Sequence, residues 1–369
     1  MAEKRKATKK DEFLKIRLLA EGVRYEVEGQ PQWFTVNKFT DVVVVFDNCD
    51  MVAETRENPR SRLTVSIDGH DVTISEMGEV LDTGTLQPTA PWRNALMSDG
   101  TKVDYAVFGT NGTRFIDTFN RCFAYDSGKG CKFCGAGHGY YAEGGPSLSL
   151  SGILQRAERP IEATVVAIEH GLRNVLLIGG AAPPEQRDQF TTDLFEGIMN
   201  RFRACLDDDL LSQVAFTPSV YPPSDFGQFH KWKALSINAV EMDCQVMDPA
   251  YFKAICPGRG DQKHWFEAQE AAVEVFGRNG GCAASVILGI EPMDGMLAGV
   301  EERVSKGVKI TPLMYKPFPP SPMTAMQPAT AEWYQEAFGK ISEIFVRYGL
   351  PAMDGAERQS RLAEQTIYV

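Results

Sequence analysis

A parallel α/β array preceded by a β-rich amino-terminal segment is the fold class this sequence predicts, on three observations. The first hundred or so residues alternate apolar and polar positions between turn signals. From about residue 114, strand-sized apolar runs alternate with helical periodicity. A long amphipathic helical pattern closes the sequence at its carboxyl end.

In the amino-terminal part, "RLTVSI" and "HDVTISE" put Leu63, Val65, Ile67, Val72 and Ile74 on one face. Asp68-Gly69 between them is a two-residue hairpin signal. "DYAVFGTNGTRFIDTF" repeats the device around Asn111-Gly112. "DVVVVF", Asp41 to Phe46, is continuously apolar and is expected to be buried on both faces. The opening "MAEKRKATKKDEFLKIRLLAEG" reads as a basic arm running into a short amphipathic helix. It carries acidic residues and no apolar h-region, so it does not read as a secretory signal.

Six strand candidates follow: Arg114 to Phe119, Asn174 to Ile178, Gln213 to Thr217, Ile237 to Met242, Ala284 to Gly289 and Val308 to Met314. Helical patterns follow most of them, among them "RDQFTTDLFEGIMNRFRACL", "DQKHWFEAQEAAVEVFG" and "DGMLAGVEERVSKG". Gly171, Gly277 and Gly307 stand where helices should stop. Six units are too few for a closed eight-fold barrel. The last helix is expected from about Ala331 to Tyr348, closed by Gly349 and Pro351. These patterns divide the chain into residues 1–113, 114–328 and 329–369.

The 369 residues are 43% hydrophobic and 24% charged, with a formal net charge of −11. That sign argues against a phosphate-tracking nucleic-acid protein, which needs clustered Lys and Arg. The most apolar runs are strand-sized, so no membrane span is expected. Of the eight cysteines, Cys49, Cys205, Cys244, Cys256 and Cys282 are scattered and read as small buried hydrophobes. Cys122, Cys131 and Cys134 are clustered in "CFAYDSGKGCKFCGAG". One tight group in a long chain without a signal favours a metal in a reducing cytoplasm over a disulfide framework.

Two metal sites fit those thiols. With His138 they would make a closed Cys₃His zinc site, the signature of a non-enzymatic zinc-binding interaction protein. Alternatively, three thiolates hold a four-iron cluster and leave one iron with an open position for a ligand. The glycines Gly128, Gly130, Gly135 and Gly137 let the backbone wrap closely around sulfide. The loop follows the first strand of the βα series, where a parallel array builds its sites. Phe133, between the last two cysteines, is an aromatic that zinc does not require.

Here the sequence resembles the radical S-adenosylmethionine superfamily, whose common spacing is CxxxCxxC with an aromatic before the last cysteine. "CKFC" agrees, while the first gap is eight residues instead of three. The resemblance covers about residues 114 to 325 and implies a partial (β/α)6 TIM-like barrel with a β-rich N-terminal domain and a C-terminal helix. "LLIGGAAPPE" looks like the glycine motif that contacts the methionine amino group. Ala181 replaces its usual acidic residue, leaving the task to the backbone at Gly179 and Gly180 or to Glu185. "AVEMDC" looks like the ribose-contacting segment, with Glu241 and Asp243 on one face. "VILGIEP" looks like the motif whose Glu291 packs near the adenine. Ser219, in "TPSVYPPSD" at a strand end, joins the expected cofactor-binding set, as does Phe133. "MDPAYFKAICPG" has the flavour of biotin-synthase-like and Elongator-like members.

The resemblance implies a [4Fe–4S] cluster on Cys122, Cys131 and Cys134, with S-adenosyl-L-methionine on its open iron. Reductive cleavage would give a 5′-deoxyadenosyl radical that abstracts hydrogen from a small-molecule substrate in a biosynthetic or cofactor-assembly step. Modification of a peptide or protein side chain is the alternative within the family. An electron donor such as flavodoxin or ferredoxin is implied, with neither nucleic acid nor membrane as partner. Arg259 or Lys263 would meet the carboxylate of S-adenosylmethionine. His138, His230, Tyr140 and Tyr141 stay unassigned. No second cysteine cluster and no cobalamin-binding domain are visible. The amino-terminal domain is a candidate lid over a pocket that has to exclude water.

Overall fold

The computed structural model describes residues 4–28, 42–87, 90–103, 108–109, 114–119, 122–135, 149–317 and 321–351. Asn111-Gly112, His138, Tyr140 and Tyr141 lie outside them.

Helix α1 (Lys9–Ala20) opens on a Thr8 capping box, with Asp11 returning to the cap. Strands β1 (Arg24–Glu28), β2 (Val43–Phe46), β3 (Val52–Glu54), β4 (Leu63–Asp68), β5 (Asp71–Glu76) and β6 (Glu79–Leu86) form one mixed sheet. Its order is β1-β4-β5-β6-β2-β3, with β1 parallel to β4 and the remaining pairs antiparallel. Leu63, Val65, Ile67, Val72 and Ile74 are all buried in its core, as their alternation predicts.

Two local expectations shift. The β4–β5 register pairs Asp68 with Asp71, so the two loop residues are Gly69 and His70. Gly69 takes the left-handed φ of +60° that the turn requires. In β2, Val44 and Phe46 are fully buried, but Val43 and Val45 are half-buried. The run is therefore not closed on both faces.

Strand β7 (Phe108–Gly109) pairs antiparallel with β8 (Arg114–Phe119). Then β9 (Asn174–Gly179), β10 (Ala215–Pro218), β11 (Val240–Glu241), β12 (Cys282–Leu288) and β13 (Lys309–Met314) follow. The pairs β8–β9, β9–β10, β11–β12 and β12–β13 are parallel. A parallel bridge from Ser219 to Glu241, with Val220 N donating to Glu241 O at 2.8 Å, joins the two halves. Six consecutive strands thus curl in sequence order into a partial (β/α)6 barrel.

The helices are α2 (Phe123–Asp126), α3 (Leu150–Glu169), α4 (Arg187–Cys205), α5 (Asp208–Ser212), α6 (Gln228–Ala234), α7 (Pro249–Ile255), α8 (Gln262–Phe276), α9 (Met293–Ser305) and α10 (Ala331–Arg347). Gly171, Gly277 and Gly307 take φ of +100°, +105° and +89° at helix ends, as their placement predicts. Trp232, Trp265, Phe202, Phe216, Phe229 and Phe252 fill the barrel core.

Strand β11 is shorter than the expected Ile237 to Met242. The carboxylate of Asp243 accepts the backbone N–H of Ser285 at 2.6 Å, replacing the carbonyl that regular pairing would use. The chain then turns through Gln245, a non-glycine residue at φ +64°.

Helix α1 ties the sheet to the barrel. Leu18 packs into the sheet core, whereas Ile16, Leu19 and Ala20 join the barrel core with α10. Burying each of the larger side chains is worth about 1.5–3 kcal/mol. An ion pair between Glu54 of β3 and Lys316, just past β13, spans the same seam at 3.0 Å. Among the described residues, no helix is long and apolar enough to cross a membrane.

Candidate active site

Cys122 stands at the amino-terminal edge of α2, directly beyond β8. Its neighbour Phe123 donates N–H to Ala181 O at 2.7 Å, which fixes the loop against the end of β9. The extra residues of the eight-residue gap form the single turn of α2. Tyr125 then folds back and donates to the carbonyls of Cys131 (3.2 Å) and Cys134 (2.5 Å). Its ring lies on Gly130, where a Cβ would come within 2.5 Å of it. The long gap is therefore a closed, self-bonded loop and keeps the two ends of the motif together.

The other side of the loop is clasped by the segment after α7. Lys132 N donates to Ile255 O at 2.9 Å. A Cβ on Gly258 would stand 2.5 Å from both Ala124 Cβ and Lys129 O, so glycine allows that approach. Phe133 is buried in the barrel core.

All three loop cysteines are free thiols; Cys131 is buried, and Cys122 and Cys134 are partly open. Burial, with the charges of Cys134, Cys131 and Cys122, pushes the Tyr125 phenol far above its usual range. All three sulfurs thus act on one phenol. A hydrogen bond from Cys256 and the Arg259 guanidinium draw the Cys131 thiol down to about 6 despite its burial. Among the described residues, no three Cys, His, Asp or Glu groups converge as ligands of a single ion. His138, the fourth ligand of the zinc alternative, is outside the described residues.

Arg259 is the centre of the mouth. Its Nε lies 3.3 Å from Cys131 Sγ, and its Nη2 donates to Gln245 Oε1 at 2.7 Å. The guanidinium sits over the rings of Tyr221 (5.6 Å) and Trp265 (4.9 Å). Its Nη1 is closed to solvent and has no hydrogen-bond partner among the described residues. A buried donor left unmet beside the Cys131 thiol is what an anionic cluster or a ligand carboxylate would satisfy. Together with the thiolate donor set, it makes these residues fit a [4Fe–4S] cluster and S-adenosylmethionine. Lys263 is not part of the mouth: it is exposed and pairs with Glu267 at 3.5 Å on the outside of α8.

Glu241 and Asp243 are partly open while Val240, Met242 and Cys244 between and beside them are buried, so alternation does put the carboxylates on one side. Burial, then the neighbouring Asp243, pushes the Glu241 carboxyl well up. Burial also raises Asp243, against the hydrogen bond from Ser285. Ser219 bridges to Glu241 at the seam of the two half-sheets. Gly179 ends β9, and Gly180 follows it just before the Ala181 carbonyl that holds Phe123. Glu185 is exposed.

Glu291 is buried and its carboxylate is occupied. It accepts Met247 N at 2.8 and 3.0 Å and Asp248 N at 2.6 Å, where α7 begins. Burial pushes this carboxyl up to about 7. The expectation of an adenine neighbour thus meets a carboxylate that organises the turn between β11 and α7. His230 is exposed on α6.

Sequence reasoning missed four further residues. Tyr221 stands between two cations, Arg187 (5.0 Å) and Arg259. Arg187 is partly buried, and burial lowers its guanidinium against the pull of Tyr221, Asp188 and Cys122. Gln245 and Trp265 hold Arg259, Trp265 also donating Nε1–H to its carbonyl at 2.9 Å. Tyr221 was within reach, since it lies in the proline stretch after the third strand. The other three gain their position from tertiary contacts.

A curled parallel barrel with a three-thiol loop at the carboxyl end of its first strand defines an iron–sulfur enzyme class. No known family profile matches the chain. The chain is 37% identical over 360 residues to the bacteriochlorophyllide c C-7(1)-hydroxylase of Chlorobaculum limnaeum, covering 94% of this chain and 88% of that protein. Among solved structures, the [FeFe]-hydrogenase maturase HydG matches 65% of this chain at 13% identity and a TM-score of 0.44. The chain spans 50% of that maturase. Methylornithine synthase (PylB) matches 64% of this chain and 62% of its own length, at 11% identity and a TM-score of 0.43. The chain belongs to the radical S-adenosylmethionine superfamily. It is an enzyme, and its cofactors are a [4Fe–4S] cluster and S-adenosylmethionine.

Proposed function

We propose that the chain oxidises a chlorophyllide-type tetrapyrrole, replacing hydrogen with hydroxyl on a ring substituent. The observation that carries this is the 37% identity to a bacteriochlorophyllide hydroxylase, which extends over 94% of the chain and so includes the amino-terminal sheet as well as the barrel. A match confined to the barrel would speak for the cofactors alone.

In this reading Cys122, Cys131 and Cys134 hold the cluster. Arg259 Nη1, buried and unmet, is the donor available to the carboxylate of S-adenosylmethionine or to sulfide. Glu241 and Asp243 hold hydroxyls, and the backbone at Gly179 and Gly180 meets the amino group. Glu291 and Ser219 act through the chain, the first by fixing the β11–α7 turn and the second by closing the sheet seam. When bound, the cofactors supply the hydrogen-abstracting power, which no side chain here has. The protein's part is to hold geometry and to exclude water and competing hydrogen donors. The amino-terminal sheet, residues 1–113 with α1 at the seam, serves as the cover.

The test is anaerobic reconstitution of the full chain, then turnover with bacteriochlorophyllide c, S-adenosylmethionine, a reductant and ¹⁸O-labelled water. The expected result is 5′-deoxyadenosine together with a tetrapyrrole product carrying one labelled oxygen. Formation of 5′-deoxyadenosine without any oxygenated tetrapyrrole would overturn the substrate assignment.

A further inference from the structure

Two carbonyls just past β9 hold different partners at the barrel mouth. Ala181 O accepts Phe123 N at 2.7 Å, beside Cys122. Ala182 O accepts Nε and Nη2 of Arg187, both at 3.4 Å. One buried pair of residues, Ala181-Ala182, thus seats both the start of the cysteine loop and the Arg187 guanidinium. The guanidinium also lies 5.0 Å from the centre of the Tyr221 ring, which Arg259 meets at 5.6 Å.

The neighbouring carboxylates leave this cation uncompensated. Asp188 turns its two oxygens to Ser224 N and Asp225 N, each at 2.9 Å, and so anchors the loop that bears Tyr221. Glu185 is exposed. Among the described residues Arg187 forms no ion pair, and its Nη1 makes no hydrogen bond. Arg259 is differently committed, with Nε on Cys131 and Nη2 on Gln245. A half-buried guanidinium, fixed by a ring and a carbonyl but lacking a counter-charge, is suited to an incoming anion. Its planar fork matches a carboxylate. A chlorophyllide is the free acid of a chlorophyll, an apolar macrocycle with a side-chain carboxylate. The aromatic contact of Tyr221 with Trp265, centroids 5.1 Å apart, gives this side of the mouth flat apolar surface beside the cation.

We propose that Arg187 is a specificity-determining residue that binds the side-chain carboxylate of the tetrapyrrole substrate and so orients the macrocycle at the mouth. The inference rests on the reading of the substrate as a chlorophyllide-type tetrapyrrole.

The experiment compares bacteriochlorophyllide c with its methyl ester, which keeps the ring and removes the charge. KM and kcat for hydroxylation, KM for S-adenosylmethionine and iron content are measured on the anaerobically reconstituted full chain. The wild type is expected to favour the free acid. In Arg187→Met the KM for the acid should rise roughly ten- to a hundred-fold, the worth of a charge-assisted pair. The KM for the ester should move little, so that the preference disappears. Arg187→Lys keeps the charge without the fork and should retain part of the preference, which also covers the case in which methionine disturbs folding. Lys263→Ala, on the outside of α8, should leave the preference as it is. A wild type that takes acid and ester equally well overturns the proposal, and so does an unchanged preference in Arg187→Met. A raised KM for S-adenosylmethionine with either substrate would give Arg187 to the cofactor instead, and lost iron would make it a support of the cysteine loop; both outcomes overturn it. Absence of oxygenated product from the wild type with both substrates sinks the functional reading and this inference together, whereas product with an unchanged preference sinks this inference alone.

Discussion

The amino-terminal sheet and the barrel mouth treat buried polar groups differently. In the sheet, Glu54 is 1% exposed but meets Lys316 at 3.0 Å, and Asp11 accepts two hydrogen bonds from Arg5. Lys15 is the exception, its Nζ buried and without a hydrogen-bond partner among the described residues, and burial drives its amine well below the usual range. At the mouth, Asp243 adds to the cost of ionising the buried Glu241, Arg259 Nη1 meets no acceptor among the described residues, and Cys131 is drawn towards its thiolate form. The sheet's charges mostly complete one another, as folding alone requires. The mouth is left incomplete in a consistent chemical sense, with donors and thiolates awaiting an anionic, iron-bearing partner. A stability cost gathered in one place, beside neutralised pairs elsewhere, is the mark of a binding site.

The sharpest test of this contrast compares one thiol from each region. Cys134→Ala should abolish cluster assembly, with iron falling to background, the visible absorption lost and no 5′-deoxyadenosine formed on reduction. Cys49→Ala, in the sheet core, should keep full iron and lose about 1 kcal/mol or so of stability, as small core truncations do. Equal iron in the two variants would erase the distinction and remove Cys134 from the ligand set.

Next in size is a pair of carboxylates. Glu54→Ala leaves Lys316 facing a buried vacancy at the seam, and removing one partner of a buried pair costs about 3–5 kcal/mol. Glu241→Gln, in the metal-free protein, removes a carboxyl that burial and Asp243 both disfavour, so stability should hold or rise. Urea unfolding of the metal-free chain measures both. If Glu241→Gln destabilises as much as Glu54→Ala, the carboxylates of the mouth are structural, and the contrast between the regions is lost.

What was legible in the sequence divides along similar lines. The strand series could be read because each parallel strand is an apolar run followed by a helical period, and Gly277 and Gly307 punctuate it without tertiary help. Arg259 and Lys263 looked interchangeable as cations. Yet Lys263 stands four residues before Glu267, a helix-surface pair that marks an outward side chain. Glu291 read as a cofactor neighbour because its strand motif says nothing about which backbone amides come to meet it. Cys256 reads as a small buried hydrophobe, and it is buried; what the sequence leaves out is the close approach of Gly258 to Ala124 and Lys129, which seats this segment against the cysteine loop. The shortening of β11 was hidden in the Asp243 side chain, which takes over a backbone pairing that the apolar pattern leaves available.

The smallest of these effects concerns Glu291 and depends on pH. Its folded-state value is raised to about 7 from an ordinary 4.5, chiefly by burial, while the amides of Met247 and Asp248 hold it down in part. A carboxyl raised in the fold binds its proton more tightly there than in the unfolded chain. It therefore adds stability that is complete below the unfolded value and fades as pH climbs through 4.5 towards 7. A shift of this size corresponds to about 3 kcal/mol across that window. Glu291→Gln cannot titrate, so the metal-free variant should lack this part of the decline, although the amide gives the loop one acceptor fewer. That loss is the same at every pH, so the slopes of stability against pH decide, not the absolute values. Unfolded in urea from pH 5 to pH 8, the variant should gain on the wild type as pH rises to about 7 and run parallel to it above that. Parallel curves would mean that the carboxylate stays ionised on the amides of Met247 and Asp248 throughout. Glu291 would then resemble the completed charges of the sheet more than the unfinished ones of the mouth.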